Sequence, residues 1–357
     1  MNIRLLYDLN KQELEEYLVS LGEAKYRAGQ IYSALHKGLP FDKVNVSKDL
    51  KDKIARDFAV ELPKVVNRVQ SKDGTVKFLL ELHDGNLIET VLLTQEYGST
   101  VCVSSQVGCK MGCGFCASGK DGFVRNLSSG EILSQVLIAC VPSGAAQSLG
   151  CNEGKSDKSK ILTNVVIMGS GEPFDNFDNT VKFLDLVSNA DGINIGARNI
   201  SVSTAGLVPK IKQFADLGLQ VNLCISLHAP NDEIRRSIMP VAKSYPMGEL
   251  IDSAKYFFEK TKRRVIFEYS LIDGVNCAPE HAVQLSKLLK GFSNHVNLIN
   301  LNKTEYSPMQ PPTREVAMKF MDTLIKSGVS VTMRKSKGSD IDAACGQLKR
   351  RVVKDGK

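Results

Sequence analysis

Val101-Cys102-Val103-Ser104-Ser105-Gln106-Val107-Gly108-Cys109-Lys110-Met111-Gly112-Cys113-Gly114-Phe115-Cys116 decides how the rest of this chain is read. It begins as a β-branched apolar run, the pattern of a buried strand, and becomes a loop broken by glycines and rich in cysteine. Spacings of four and three could set Cys109, Cys113 and Cys116 on one helix face. Gly108, Gly112 and Gly114 argue against a helix, since each costs about 1 kcal/mol relative to Ala. A glycine-rich loop instead lets the backbone wrap a compact object with thiolates pointing inward. Structural zinc takes four ligands, often as two Cys-x-x-Cys pairs, and no second pair exists here. An ordinary 4Fe-4S cluster also takes four thiolates, so three in one loop leave one iron open to a substrate or cofactor.

Downstream of this stretch the chain alternates. Apolar, β-branched runs lie at 101–104, 163–168, 200–203, 221–227, 265–271, 296–301 and 329–333. Amphipathic helical stretches lie between them, at 131–140, 180–190, 208–217, 248–260, 280–289 and 314–327. Seven strands and six helices in alternation imply parallel βαβ units and an open, partial barrel. Upstream, three helical patterns (10–21, 25–37 and 47–58) predict a small helical module. Runs at 64–70, 75–82 and 87–93, separated by Lys72-Asp73-Gly74 and His83-Asp84-Gly85, read as antiparallel hairpins. The stretch 142–160, rich in Gly, Ser, Lys and Asn, reads as a surface loop holding a spare thiol, Cys151.

The 357 residues weigh 39.1 kDa, enough for two or three domains or one large α/β body with an appendage. A chain 43% hydrophobic and 24% charged is globular rather than disordered. There is no run of 18 apolar residues and no apolar signal core at the start, so neither a membrane span nor secretion is expected. Nine cysteines without a secretion signal point to a reducing, cytoplasmic setting, where clustered cysteines mean metal or catalysis. The net charge of +7 is uneven: residues 303–357 hold 12 Lys/Arg against 6 Asp/Glu. Arg334, Lys335, Lys337, Lys349, Arg350 and Arg351 sit there, a basic surface suited to a polyanion such as RNA.

Cys-x3-Cys-x2-Cys with an aromatic before the last Cys resembles the radical S-adenosylmethionine (SAM) superfamily. Further stretches resemble one branch of it, the rRNA adenine methyltransferases of the RlmN/Cfr type. These are the run 101–109, Gly171-Glu172-Pro173, Ser226-Leu227-His228-Ala229 and Asp340-Ile341-Asp342-Ala343-Ala344-Cys345-Gly346-Gln347-Leu348. The resemblance covers nearly the whole chain. It implies a partial (β/α)6 TIM-like barrel with a small N-terminal helical and β-hairpin accessory domain. The expected division is 1–95 for RNA binding, 96–335 for the radical SAM core, and 336–357 for a C-terminal segment with a basic tail.

The resemblance also implies a mechanism. The target ring carbon of adenine is electrophilic, so direct attack on the methyl of SAM fails. Two SAM molecules per turnover are used instead. A thiolate takes a methyl group, a radical generated from SAM at the 4Fe-4S cluster activates it, and a base removes the ring proton. By motif match, Cys109, Cys113 and Cys116 hold the cluster. Cys345 carries the methyl group, Cys102 resolves the adduct through a disulfide, and Glu89 is the base. SAM contacts carried over are Gly171, Glu172, Ser203, Ser226, Leu227, His228 and Asn302, at the carboxyl ends of strands where parallel sheets bind ligands. Ser170 and Asn300 depart from the family pattern, which often has Met and Pro there, without removing a group the chemistry needs.

The implied substrate is an adenine of 23S rRNA, methylated at carbon 2, and tRNA near the anticodon. The stretch 21–31 favours that branch over its sister, which methylates carbon 8. An electron donor of the flavodoxin or ferredoxin type and a monomeric state are further expectations. Two readings compete: a radical SAM enzyme with another substrate, and a non-catalytic RNA-binding protein with a structural metal loop.

Overall fold

The computed structural model describes residues 4–95, 98–140 and 162–348. The whole 142–160 stretch with Cys151, and the basic residues Lys349, Arg350 and Arg351, lie outside the described residues. Three helices open the chain: α1 (Lys11–Ser20), α2 (Tyr26–His36) and α3 (Lys48–Asp57). Asn10 and Glu13 form a reciprocal capping box at the start of α1, and Ser47 caps α3. Leu14, Leu18, Ile31, Leu35, Leu50 and Ile54 are buried at helical spacing, so the three helices share an apolar seam.

Three strands follow: β1 (Lys64–Gln70), β2 (Val76–Glu81) and β3 (Leu87–Gln95). They pair antiparallel, and β3 continues antiparallel into β4 (Gly98–Val103), so the sheet runs unbroken across the expected boundary at residue 95. The short strands β5 (Gln106–Gly108) and β6 (Phe123–Asn126) form a separate ribbon that encloses the cysteine-rich loop. The sequence reading missed this ribbon. Then α4 (Ser129–Cys140), β7 (Leu162–Ile167), α5 (Phe177–Ser188), β8 (Ile200–Thr204), α6 (Val208–Asp216) and β9 (Asn222–Ser226) alternate. A short helix α7 (Asp232–Ile238), also unforeseen, precedes α8 (Met247–Thr261). The chain continues through β10 (Val265–Leu271), α9 (Pro279–Leu288), β11 (Asn294–Asn300), α10 (Arg314–Lys326) and β12 (Val331–Arg334).

Neighbouring strands from β4 to β12 pair parallel, in the order β4-β7-β8-β9-β10-β11-β12. That is seven parallel strands with six helical crossovers and, among the described residues, no pairing that closes the ring. The partial (β/α)6 barrel is therefore the observed core. The N-terminal module docks on its helical side. Asp8 Oδ1 accepts hydrogen bonds from Gly130 N (2.6 Å) and Ser129 Oγ (3.2 Å), placing a carboxylate on the N-terminus of α4. Lys182 pairs with Glu13 at 2.7 Å, and the module's apolar residues join the barrel's in one continuous core. No described helix is long and apolar enough to cross a membrane.

Candidate active site

The carboxyl ends of the parallel strands converge on one open cavity. The thiols of Cys109, Cys113 and Cys116 line it together with Gly171, Glu172, Ser203, Ser226, His228, Asn302 and Cys345. Residues scattered over more than two hundred positions thus meet in one place, at the mouth where (β/α) barrels do chemistry.

The cysteine loop hangs between β5 and β6. Gly108 has φ +77°, and a Cβ there would lie 1.8 Å from the carbonyl oxygen of Gly122, so only glycine allows the ribbon to close. Gly114 N donates to Ile238 O at 2.9 Å, pinning the loop to the end of α7. Burial pushes the Cys109 thiol up to about 12, and burial and neighbouring thiols push up those of Cys113 and Cys116. Among the described residues, no three Cys, His, Asp or Glu converge tightly enough to ligate a single ion. Three thiols around a common cavity are one ligand short of a tetrahedral zinc and suit a four-iron cluster with one iron left open.

Glu172 is 3% exposed, and its carboxylate accepts from Ala205 N at 2.6 Å and Phe174 N at 3.0 Å. Burial pushes it up to about 7 against those hydrogen bonds, so an incoming ammonium would restore its charge. Gly171 has φ +110°, and a Cβ there would sit 2.7 Å from Gln106 N, so the backbone after β7 packs directly on β5. His228 has φ +55° and accepts from Ser270 N at its Nδ1 (2.9 Å), which leaves the proton on Nε2. Burial and the charge of Arg235 hold this imidazole neutral, down to about 3. Its ring meets Phe115 edge-on at 4.8 Å, so the aromatic beside Cys116 forms part of the wall. Leu227 does not line the cavity. Its side chain is in the core and its N–H goes to Glu268 O at 3.1 Å. Asn302 lines the cavity while donating to Cys345 O at 3.1 Å and accepting from Ser336 Oγ at 2.9 Å.

A second cleft adjoins the first and is lined by both Cys345 and Cys102. Both thiols are free, Cys345 exposed and Cys102 buried. Cys102 packs with Val91, Ala343 and Leu348, so the segment carrying Cys345 covers it. Burial, together with the field of Cys345, pushes the Cys102 thiol up to about 12. Glu89 lies elsewhere, in a third cleft with Lys77, Lys303, Tyr306, Asp342 and Gln347. That cleft also touches Ala117, next to Cys116, so it borders the first without sharing its residues. Lys77 Nζ lies 3.1 Å from Glu89 Oε1 and donates to Asp342 O at 3.2 Å.

The sequence reading missed Arg334 and Glu268 as cavity groups, and Arg235 as a buried charge behind the cavity wall. Arg334 lines both the first and second clefts and faces Glu268 Oε2 at 3.7 Å. The field of Cys345 and that of Glu268 hold its charge firmly, against the cost of burial. Glu268 could have been found: a lone acid inside the apolar run Val265–Leu271 has no surface to face.

Comparisons with known proteins extend these observations. Residues 5–60 match the family described as ribosomal RNA large subunit methyltransferase N-terminal domain, and residues 152–285 match the radical SAM superfamily. A protein of Clostridium novyi named "Probable dual-specificity RNA methyltransferase RlmN" is 45% identical over 96% of this chain and 97% of its own. One of a Thermoanaerobacter species with the same name is 47% identical over 98% and 99%. The crystal structure of a radical SAM methyltransferase from Sphaerobacter thermophilus superposes with a TM-score of 0.90 at 42% identity, covering 97% of this chain and 99% of that one.

Proposed function

This chain belongs to the RlmN family of radical SAM methyltransferases, and from that premise we propose that it methylates carbon 2 of an adenine in 23S rRNA and in tRNA, with Cys345 as the methyl carrier. The observation that carries this reading is the position of Cys345. It lines one cavity with Cys109, Cys113 and Cys116, and a second with Cys102. A carrier must reach both the place where radicals form and the thiol that frees the product.

The family's 4Fe-4S cluster and SAM, when bound, supply an electron and a 5′-deoxyadenosyl radical. Cys109, Cys113 and Cys116 hold the cluster. Glu172, its carboxylate fixed by two backbone N–H groups, takes the ammonium end of SAM. His228, neutral and with its proton on Nε2, offers a donor to the same ligand. Ser203 and Ser226 close on its polar edge.

Cys345 Sγ would displace the methyl group from the sulfonium of SAM, with S-adenosylhomocysteine leaving, in a cleft that it shares with the charge of Arg334. The sulfur then carries the activated carbon to the ring. Cys102, beneath the same segment, would attack the Cys345 sulfur as a thiolate: the two sulfurs join, the sulfur–carbon bond breaks with its electron pair left on the transferred carbon, which takes a proton as the methyl group, and the odd electron left by radical addition passes back to the one-electron carrier. Glu89 takes the ring proton from its own cleft, held in place by Lys77. The base enters splayed from its stack, because duplex RNA hides its edges. Exposed Lys303 and Lys335 at the rims meet phosphate. The electron comes from a small flavodoxin- or ferredoxin-type donor.

The test is anaerobic turnover of the iron-loaded enzyme on an rRNA fragment, followed by digestion and mass spectrometry of the methyladenosine isomers. The 2-methyl isomer is expected, and the 8-methyl isomer would overturn the assignment. Cys345→Ala is expected to abolish methylation while SAM cleavage to 5′-deoxyadenosine continues. Methylation by that variant would end the carrier role.

A further inference from the structure

Arg235, on α7, is the largest fully buried side chain of the described residues. A buried guanidinium normally meets a carboxylate. This one has no carboxylate within ion-pair distance among the described residues. Its partners are backbone carbonyls: Nη2 donates to Ala205 O at 2.6 Å and to Ser226 O at 3.2 Å, and Nε donates to Leu227 O at 3.3 Å. Asp232, one turn earlier, is already engaged by Met247 N at 2.9 Å. The remaining nitrogen, Nη1, is buried with no partner. Native proteins seldom keep such an orphaned donor, and a charged one least of all.

The surroundings indicate what could satisfy it. Cys113 lies within the field of Arg235 and packs against Ile238 and Met239, at the end of the same helix. The cysteine loop is bonded to that end through Gly114 N and Ile238 O at 2.9 Å. Ala205, whose carbonyl holds Nη2, gives its N–H to Glu172. The guanidinium is thus fixed from three sides beside one sulfur ligand.

We propose that Arg235 is a positioning and electrostatic residue for the iron–sulfur centre, its Nη1 donating to sulfur on the Cys113 side and its charge favouring the reduced cluster. This rests on the cluster reading given above. Hydrogen bonds to cluster sulfurs and nearby positive charge raise the reduction potential, because the reduced cluster carries one more negative charge. The carbonyl cradle keeps the donor aimed without neutralising it, as a carboxylate would.

The experiment is a redox titration of the reconstituted, SAM-free holoenzyme, followed by EPR. Arg235→Gln is expected to lower the reduced-to-oxidised ratio at a fixed potential about tenfold, roughly 59 mV for a one-electron couple. Arg235→Lys, which keeps the charge, is expected to lie between that variant and the wild type. A cluster-loaded Arg235→Gln enzyme with an unshifted potential overturns the proposal. So does a change confined to SAM affinity, or one confined to melting temperature. Should the variants not fold, wild-type protein labelled with ¹⁵N in its arginine guanidinium groups still decides. A nitrogen coupling to the reduced cluster by pulsed EPR is expected, and its absence overturns the proposal. A wild-type protein that binds no cluster overturns this inference and the functional reading together, whereas an unshifted potential leaves the latter intact.

Discussion

The loop 109–116 and the segment 336–348 reach the same cavity but are secured by different means. The loop is tied backbone to backbone. Cys109 N donates to Gly122 O at 3.3 Å inside the β5–β6 ribbon, and Gly114 N to Ile238 O at 2.9 Å. The segment hangs largely on side-chain latches. Asp73 accepts from Gly338 N at 2.9 Å, Asp340 from Ser71 Oγ at 2.6 Å, and Asn302 holds Cys345 O at 3.1 Å. A ribbon opens only by unfolding, whereas side-chain latches release locally at low cost. On the roles proposed above, the loop has to stay still to hold a cluster, and a carrier thiol that serves two clefts has to move.

The sharpest way to break this contrast is Gly108→Ala. With φ +77° and a Cβ 1.8 Å from Gly122 O, the ribbon cannot close around alanine. The expected cost is about 3 kcal/mol or more, with loss of iron binding. Iron content and thermal unfolding measure both. A fully loaded Gly108→Ala protein would show that the loop is not held by its ribbon.

Next in size is a pH effect on the fixed side of the cavity. Glu172 is raised to about 7 by burial, against 4.5 ordinarily. The folded protein therefore keeps a proton that the unfolded chain loses first, so stability is fully present below about 4.5 and falls as pH rises through 7. The loss is at most about 3 kcal/mol. Melting curves of ligand-free protein between pH 5 and 8 should show this decline, and Glu172→Gln should flatten it. An equal slope in that variant would place the titration elsewhere.

The segment's latches should cost less and act on other readouts. Asp73→Ala and Asp340→Ala each remove a hydrogen-bonding carboxylate, worth about 1–3 kcal/mol, from the turn that holds residues 338–341. Cluster content should not change. Cys102, now beneath a looser cover, should be alkylated faster, as peptide mass spectrometry of the iron-loaded protein would reveal. Iron loss in either variant would erase the distinction between the two regions.

How far the chain could be read from its letters follows the same division. The run 265–271 predicts a strand and is one, because a core strand buried on both faces shows as a mostly apolar, β-branched and aromatic stretch even with Glu268 in it. Cys109, Cys113 and Cys116 were visible because their spacing is itself the signal, whereas Cys102, Cys345 and Gly171-Glu172 were found only through motifs that resemble the family. The β5–β6 ribbon was not, since three residues ending in glycine carry no period. Arg235 sits in Asp232-Glu233-Ile234-Arg235-Arg236, which reads as an exposed helix face. Its burial is set by carbonyls from two other strand ends, and pairwise sequence spacing cannot encode that. Glu89 likewise looks like an edge carboxylate until β2 brings Lys77 beside it.

The smallest expected effect comes from Ser118, a side chain that bonds to both regions. Ser118 Oγ donates to Leu348 O at 2.9 Å, at the far end of the segment. It also bonds the Cys116 thiol, favouring its deprotonated form. A hydroxyl has a single proton, so it cannot serve both acceptors fully at once. When the segment lifts, that proton is free to turn to the Cys116 sulfur; when it settles, the bond to Leu348 competes. Ser118→Ala removes the choice. The segment should loosen by about 0.5–1.5 kcal/mol, raising Cys102 alkylation several-fold at most. Iron content should hold, because the ribbon and the Gly114 bond remain. An alkylation rate equal to the wild type would mean that Leu348 is held by packing alone, and that the two regions are coupled instead through the backbone bond from Ala117 N to Gly346 O at 2.7 Å.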